Sequence, residues 1–209
     1  MIGMNKMSFD VWLEQSKPVI PVIVIEDLEH AVPLAKALVA GGVRLLEVTM
    51  RTPVALAAIE RIAKEVPDAI VGVGTVTQAM HIQQAYDAGA TFALSPGISE
   101  SLAQKANDLS LPFMPGVMTP SDVIKGIELG LNDFKFYPAE LAGGPAMLSA
   151  MAGPFDQVRF CPTGGVSQEN FKSYLALKNV MAVGGSWLSP KNLLAKQDWA
   201  SIETLAKQC

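Results

Sequence analysis

The stretch Val19–Met50, VIPVIVIEDLEHAVPLAKALVAGGVRLLEVTM, contains the pattern that decides the fold. Its two ends, Val19–Ile25 and Leu45–Met50, are short apolar runs rich in β-branched residues, as is typical of strands buried on both faces. Between them, Leu28–Ala40 carries apolar residues at helical spacing and ends at Gly41, where a left-handed helix cap is expected. The stretch therefore predicts one strand–helix–strand unit of a parallel sheet.

The same alternation repeats along the chain without a linker. The other predicted strands are Ala69–Thr75, Thr91–Ser95, Phe113–Val117, Asp133–Pro138, Val158–Pro162 and Val180–Gly184, and further helices are predicted at Pro53–Val66, Gln78–Ala88, Glu100–Leu109, Ser121–Leu129 and Asp198–Gln208. Eight such units in 209 residues leave about 26 residues for each, which favours a single α/β domain over residues 1–209, a (β/α)8 TIM barrel. An extra N-terminal helix near Met7–Gln15 is expected to close its bottom. A doubly wound open sheet is the alternative, since periodicity alone does not prove closure.

The composition excludes several classes of function. The 16 basic and 20 acidic side chains give a formal charge of −4, and no basic run offers a surface for nucleic acid or an anionic membrane. The longest apolar run is interrupted by Pro21 and is far shorter than the ~20 residues of a membrane-spanning helix. With no apolar leader, the protein is expected to be cytoplasmic. Cys161 and Cys209 lack the number and spacing of a disulfide framework or zinc site, so free thiols and no metal are expected.

A carboxylate falls inside the second predicted strand. Strand alternation puts Glu47, Thr49 and Arg51 on one face, opposite an apolar set. With the apolar set facing the helices, Glu47 is predicted to point into the barrel and Arg51 to lie above it at the rim. An ion pair between Glu47 and Arg51 is the structural alternative.

A lysine falls inside the sixth predicted strand. Lys135 stands between Phe134 and Phe136, where an unpaired ammonium group costs several kcal/mol. Burial lowers the pKa of a lysine, and the neutral amine attacks a carbonyl to form an imine. Lys135 is therefore predicted to be a nucleophile. A structural ion pair with Glu47 or Asp133 is the alternative.

Further candidate residues follow other predicted strands. The seventh and eighth strands lead into Pro162-Thr163-Gly164-Gly165 and Gly184-Gly185-Ser186. Glycine lets backbone N–H groups approach an anion, and (β/α)8 barrels often bind phosphate at these two loops. Thr75 and Pro96-Gly97 follow the third and fourth strands. The Thr75 hydroxyl is expected either to bind a carboxylate or to cap the next helix.

Together these segments resemble the family of 2-keto-3-deoxy-6-phosphogluconate aldolases. The resemblance is carried by ordered blocks over nearly the whole chain: Leu46–Thr52, Gly72–Thr75, Ser95–Gly97, Phe134–Glu140, Pro162–Gly165 and Gly184–Leu188. Two positions depart from the family pattern, because Tyr137 replaces a common phenylalanine and Val73 a common alanine. The resemblance implies a class I, imine-forming aldolase that cleaves the phosphorylated keto acid to pyruvate and glyceraldehyde 3-phosphate. Many members of the family also cleave 4-hydroxy-2-oxoglutarate to pyruvate and glyoxylate.

The resemblance also implies roles for single residues. Lys135 forms the imine, Glu47 moves protons, and Arg51 and Thr75 bind the pyruvyl carboxylate. The loops at Gly164-Gly165 and Ser186 hold the phosphate, and the remaining substrate-binding residues are Pro96, Tyr137 and Gly185. The family is homotrimeric and needs no metal or other cofactor, so the expected partners are a phosphorylated keto acid, pyruvate and two copies of the chain.

Three other functions fit the same residues. An aldolase for the galactonate epimer carries much the same set, because pocket shape reads the stereochemistry at C4. In a metal-dependent lyase or a phosphosugar isomerase, Glu47 is a ligand or base and Lys135 only an electrostatic partner. A ligand-binding barrel without turnover keeps only the phosphate loops.

Overall fold

The structure is a computed structural model that describes residues 9–209. Its strands are β1 (Val19–Ile23), β2 (Leu45–Thr49), β3 (Ile70–Gly74), β4 (Ala93–Leu94), β5 (Phe113–Met114), β6 (Gly116–Val117), β7 (Asp133–Phe136), β8 (Arg159–Pro162) and β9 (Val183–Gly185). A six-stranded sheet has the order β5-β4-β3-β2-β1-β9, and a three-stranded sheet has the order β6-β7-β8. Every strand pairing in both sheets is parallel, which confirms the predicted α/β class.

The two sheets meet at two places. Between β5 and β6 lies only Pro115, which has no N–H to donate and so divides the predicted strand Phe113–Val117. On the other side, parallel bridges join Phe160 to Val180 and Thr163 to Gly184, next to β8 and β9. The parallel sheet is therefore strongly curled.

The helices after α1 follow the strands and cover the outer face of the sheets. They are α1 (Phe9–Leu13), a 3-10 helix (Leu28–His30), α2 (Ala31–Ala40), α3 (Ala55–Glu65), α4 (Ala79–Asp87), α5 (Glu100–Asp108), α6 (Pro120–Glu128), α7 (Gly144–Met151), α8 (Phe171–Leu175), α9 (Lys191–Ala195) and α10 (Trp199–Lys207). The left-handed residue after α2 is Gly42, with φ 89°, and the expectation for Gly41 is wrong because Gly41 still has helical angles. Gly89 and Gly130 take the left-handed conformation after α4 and α6.

The apolar core has two parts. The larger part lies between the strands and the helices, and includes Leu46 and Val48 of β2. The smaller part lies at the N-terminal ends of the strands, where Phe9 and Trp12 of α1 pack on Phe92. The N-terminal helix thus covers one end of the curled sheet, as predicted, although residues 7 and 8 of that prediction lie outside the described residues. No helix among residues 9–209 is long and apolar enough to cross a membrane.

Candidate active site

The two predicted catalytic side chains meet inside the curled sheet. Lys135 of β7 and Glu47 of β2 are 4% and 1% exposed, and Lys135 Nζ donates a hydrogen bond to Glu47 Oε1 over 2.8 Å. Asp133 instead accepts two hydrogen bonds of 2.9 Å from Arg159, so Lys135 pairs with Glu47 and not with Asp133. A lysine amine and a carboxylate therefore share one enclosed space.

Half of the Glu47 carboxylate is left without a partner. Glu47 Oε2 is buried and has no hydrogen-bond partner among residues 9–209. Buried polar atoms are nearly always hydrogen-bonded, so an unsatisfied acceptor beside an amine marks a place where a substrate proton can be received. A purely structural ion pair does not explain why the second carboxylate oxygen is buried without a hydrogen-bond partner.

Glycines on the neighbouring strands make room for the pair. A Cβ at Gly74 would overlap the Glu47 carboxylate, so a glycine at the end of β3 is needed for Glu47 to fill this position. Gly116 lies opposite Lys135 in the pairing of β6 with β7, and a Cβ there would overlap the backbone of Pro96. The Pro96 turn, in which Ser95 Oγ donates to Gly97 O over 2.5 Å, therefore lies against the strand next to Lys135.

Arg51 and Thr75 meet at the C-terminal ends of β2 and β3. Arg51 Nε donates a hydrogen bond to Thr75 Oγ1 over 3.1 Å, and both side chains are accessible to solvent. Thr75 does not cap α4, whose N-cap residue is Gln78, so the structural alternative for Thr75 is wrong. Its φ of 60° is left-handed, which is unfavourable for a β-branched residue and is typical of functional sites. Arg51 pairs with Thr75 and not with Glu47.

Tyr137 lies on the same face of the chain as Lys135. Lys135 Nζ is 5.9 Å from the centroid of the Tyr137 ring, a distance at which a ring attracts a cation. On its other side, Tyr137 approaches the first glycine loop, because a Cβ at Gly164 would lie 3.3 Å from Tyr137 Cε2. The ring therefore stands between the lysine and the predicted phosphate loop.

The two predicted phosphate loops are neighbours. Gly164 and Gly165 have φ values of 99° and 80°, which only glycine adopts easily. The bridge from Thr163 to Gly184 brings this loop beside the next one, where Gly185 leaves room for the ring of Trp187. Ser186 follows directly and lines a cavity of about 530 Å³ together with Arg51, Val22, Ile25 and His30.

That cavity does not include Lys135 or Glu47 in its lining. Its walls come mainly from β1, the loops after β1 and β9, and the helix α9, and include Arg51 and Ser186. Lys135 and Glu47 thus lie within β7 and β2, and the other predicted site residues lie at or just after the C-terminal ends of the strands, which are all parallel.

Two further polar side chains lie beside the site, the hydroxyl of Thr163 and the thiol of Cys161, which is free as predicted. Thr163 is buried directly after β8, where its Oγ1 donates to Cys161 O over 3.3 Å. Cys161 lies opposite Lys135 in the pairing of β7 with β8. Burial raises the pKa of the Cys161 thiol to about 12, which keeps it protonated and unreactive.

Comparisons with known proteins identify relatives in sequence and fold. Residues 12–205 match the family model described as KDPG and KHG aldolase, where KDPG is 2-keto-3-deoxy-6-phosphogluconate and KHG is 4-hydroxy-2-oxoglutarate. The chain is 55% identical to the KHG/KDPG aldolase of Escherichia coli K12, over 91% of this chain and 90% of that protein. The crystal structure of KDPG aldolase from Legionella pneumophila, with pyruvate captured at low pH as a covalent carbinolamine, has a TM-score of 0.90 and 46% identity over 92% of this chain and 94% of that one. The aldolase of Zymomonas mobilis ZM4 with 3-phosphoglycerate has a TM-score of 0.88 and 47% identity, over 96% and 94% of the two chains.

Proposed function

The chain belongs to the KDPG and KHG aldolase family, and on that basis we propose that it is an imine-forming carbon–carbon lyase. It cleaves 2-keto-3-deoxy-6-phosphogluconate (KDPG) to pyruvate and glyceraldehyde 3-phosphate, and 4-hydroxy-2-oxoglutarate to pyruvate and glyoxylate. The observation that carries the proposal is the buried contact of 2.8 Å between Lys135 Nζ and Glu47 Oε1, with the second carboxylate oxygen unpartnered.

Lys135 supplies the nucleophile. Its neutral amine attacks the C2 carbonyl of the keto acid to give a carbinolamine, and the carbinolamine oxygen leaves as water to give a protonated imine. The imine nitrogen then accepts the electron pair of the C3–C4 bond when this bond breaks. The covalent carbinolamine with pyruvate in the related Legionella enzyme is the chemical species expected on this path.

Glu47 moves the protons. Its unpartnered Oε2 accepts the proton of the C4 hydroxyl as the C3–C4 bond breaks, so the aldehyde leaves and an enamine of pyruvate stays on Lys135. The carboxyl group returns a proton to C3 of the enamine. Water then adds to the imine carbon, pyruvate leaves, and the amine of Lys135 is restored.

The outer residues hold the two charged ends of the substrate. Arg51, oriented by Thr75, binds the carboxylate next to the ketone, since a guanidinium can bind a carboxylate through two hydrogen bonds. The Gly164-Gly165 loop, with Gly185 and Ser186, receives the phosphate on backbone N–H groups and a hydroxyl. Pro96 and Tyr137 line the space between these ends.

The fold proposed for this activity is a closed (β/α)8 barrel formed by residues 1–209 as one domain. Closure is supported by the sequential strand order, by β1 lying next to the last strand, and by the contacts across Pro115 and between Thr163 and Gly184. A doubly wound sheet has a point where the strand order reverses, and the order β5-β4-β3-β2-β1-β9 contains no such point. The working form is a cytoplasmic homotrimer, for which exposed apolar side chains such as Met80 and Ile124 offer contact area.

A lactate dehydrogenase-coupled assay of pyruvate release tests this function. The purified protein is expected to cleave KDPG and, with a lower kcat/KM, 4-hydroxy-2-oxoglutarate, and to keep both activities in excess chelator. Faster cleavage of the galactonate epimer would reassign the substrate. Activity that disappears with the chelator and returns with a divalent metal would replace the lysine mechanism by a metal-dependent one.

A further inference from the structure

The side chain of Glu140 packs against the predicted phosphate loop, Gly164-Gly165. The backbone N–H of Glu140 donates to Gly164 O over 3.0 Å, and a Cβ at Gly165 would overlap the Cβ and Cγ of Glu140. The side chain of Glu140 therefore fills the space that the missing side chain of Gly165 leaves.

Two side chains from the α8 region hold Glu140 in this place. The fully buried Tyr174 donates its hydroxyl to Glu140 Oε1. Asn170 Nδ2 donates both to Glu140 Oε1, over 3.3 Å, and to Gly165 O, over 3.0 Å. Burial and the nearby carboxylate raise the pKa of Tyr174, so its hydroxyl stays protonated and remains a donor at neutral pH.

This network also fixes the loop relative to the lysine. Glu140 follows Lys135 in the same segment, Lys135–Glu140, and the N–H groups of Ala139 and Glu140 donate to Thr163 O and Gly164 O over 2.8 and 3.0 Å. The segment that carries the nucleophile is thus tied directly to the Gly164-Gly165 loop. A shift of the loop would change the distance between the phosphate and the imine nitrogen.

We propose that Glu140, held by Tyr174 and Asn170, is a positioning residue that sets the Gly164-Gly165 loop for the phosphate end of the substrate. The inference rests on the proposed function, because it takes this loop as the phosphate site. Glu140 does not touch the substrate; it acts through the loop. It therefore affects phosphorylated substrates and leaves the chemistry at Lys135 unchanged.

The direction in which the KM for a phosphorylated substrate changes distinguishes a positioning role of Glu140 from a purely electrostatic one. A carboxylate near a phosphate repels it, so removing the charge of Glu140 would improve binding of a phosphorylated substrate if charge alone mattered. Loss of the support allows the loop to move, and a small misplacement of a binding group costs affinity and rate. The two accounts predict opposite changes in KM.

The test compares three variants for KDPG cleavage and for exchange of the methyl protons of pyruvate, which carries no phosphate. Glu140→Ala removes the support, and we expect the KM for KDPG to rise roughly tenfold while the exchange rate stays within about twofold. Glu140→Gln keeps the shape and an acceptor oxygen, so it is expected to restore most of the affinity. Glu169→Ala is the matched control, since Glu169 is an exposed carboxylate near the same loop that bonds only to Ser167 within residues 9–209.

Other outcomes would overturn the inference. An unchanged or lower KM for KDPG in Glu140→Ala, with Tyr174→Phe also unchanged, would mean that the network does not position the loop. Ser186→Ala separates this failure from a failure of the phosphate site itself. If Ser186→Ala raises the KM for KDPG while Glu140→Ala does not, only the positioning role is lost; if neither variant changes it, the phosphate lies elsewhere and both assignments are wrong.

Discussion

At the scale of single residues, the account depends on what each group of the buried pair does. Lys135 and Glu47 are separated by 88 positions in the chain and by 2.8 Å in space. A structural ion pair and a catalytic pair look alike in this respect. A structural pair and a catalytic pair respond differently when one residue is substituted and the other is kept.

Glu47→Gln is expected to separate imine formation from proton transfer. The variant keeps the shape of the side chain but loses the base, so pyruvate still adds to Lys135 while exchange of its methyl protons falls by about 10² to 10⁴-fold. Proton NMR in deuterated water measures the exchange. Glu60→Gln is the control, because Glu60 pairs with Lys64 on the surface of α3 and this change is expected to leave exchange intact. Normal exchange in Glu47→Gln would place the base elsewhere.

Thr75→Gly is expected to stabilise the protein and weaken its binding of pyruvate. A left-handed φ costs a β-branched residue ~1 kcal/mol or more, and glycine removes that cost together with the hydroxyl that contacts Arg51. Urea denaturation is expected to show a gain of about 1 kcal/mol, and the exchange assay a higher KM for pyruvate. Ser110→Gly, at an exposed residue with φ 52°, should give a similar gain in stability with no change in KM. A Thr75→Gly variant with unchanged KM would remove Thr75 from the carboxylate site.

At the scale of elements, the strands make room for the site by carrying glycine at positions where a side chain would overlap it. Gly74 in β3 and Gly116 in β6 provide the space for Glu47 and for the Pro96 turn. Strand register puts Glu47 opposite Gly72 and Lys135 opposite Gly116, so each charged side chain lies beside a strand with small residues. These small residues therefore leave space beside Glu47 and Lys135, where the proposed reaction takes place.

Gly74→Ala is expected to displace Glu47 without unfolding the protein. The added methyl group overlaps the carboxylate, and overpacking of this kind costs about 1–3 kcal/mol. A displaced base should lower kcat for KDPG by roughly 10²-fold. Gly153→Ala is the matched control, because nothing among the described residues, apart from its own chain neighbours, lies within 4 Å of a Cβ added there. Full activity in Gly74→Ala would show that the position of Glu47 is not critical.

The start of α6 gives a pH-dependent contribution to stability. Although burial opposes it, hydrogen bonds from the N–H groups of Met118 and Thr119 hold the pKa of Asp122 below its usual value. A lowered folded-state pKa means that the stabilisation is present above the unfolded pKa of about 4 and is lost as the pH falls through the folded value. The thermal midpoint of Asp122→Asn should lie below that of the unchanged protein at pH 7, and the difference should shrink below about pH 4. A difference that grows in acid would contradict this.

At the scale of the whole molecule, the repeating strand–helix pattern was enough to predict the fold class, and polar residues inside apolar strands were enough to find Glu47 and Lys135. Sequence periodicity did not predict the division of one strand at Pro115, which follows from the missing N–H of a single residue. The helices α7, α8 and α9 were also missed, because they are short and have little apolar periodicity. They are stabilised by tertiary packing, as the buried Phe171 and Tyr174 of α8 illustrate.

The site could be predicted only in part for a similar reason. Alternation assigns Glu47 and Lys135 to faces of strands, but their contact depends on the curl of the sheet and on glycines far apart in the chain. Tyr174 and Asn170 contact Glu140 across 30 positions or more, and nothing in the local sequence of α8 indicates this. Features that depend on long-range contacts became visible only in the structure.

The most direct test of the central claim is the intact mass of the protein after treatment with pyruvate and borohydride, followed by peptide mapping. Borohydride reduces an imine to a stable amine, so the account predicts one pyruvyl group per chain, located on Lys135. Lys135→Ala should gain no such group under the same conditions. A folded, unmodified protein with pyruvate in excess, or an adduct on another lysine, would contradict the assignment of Lys135 as the imine-forming residue.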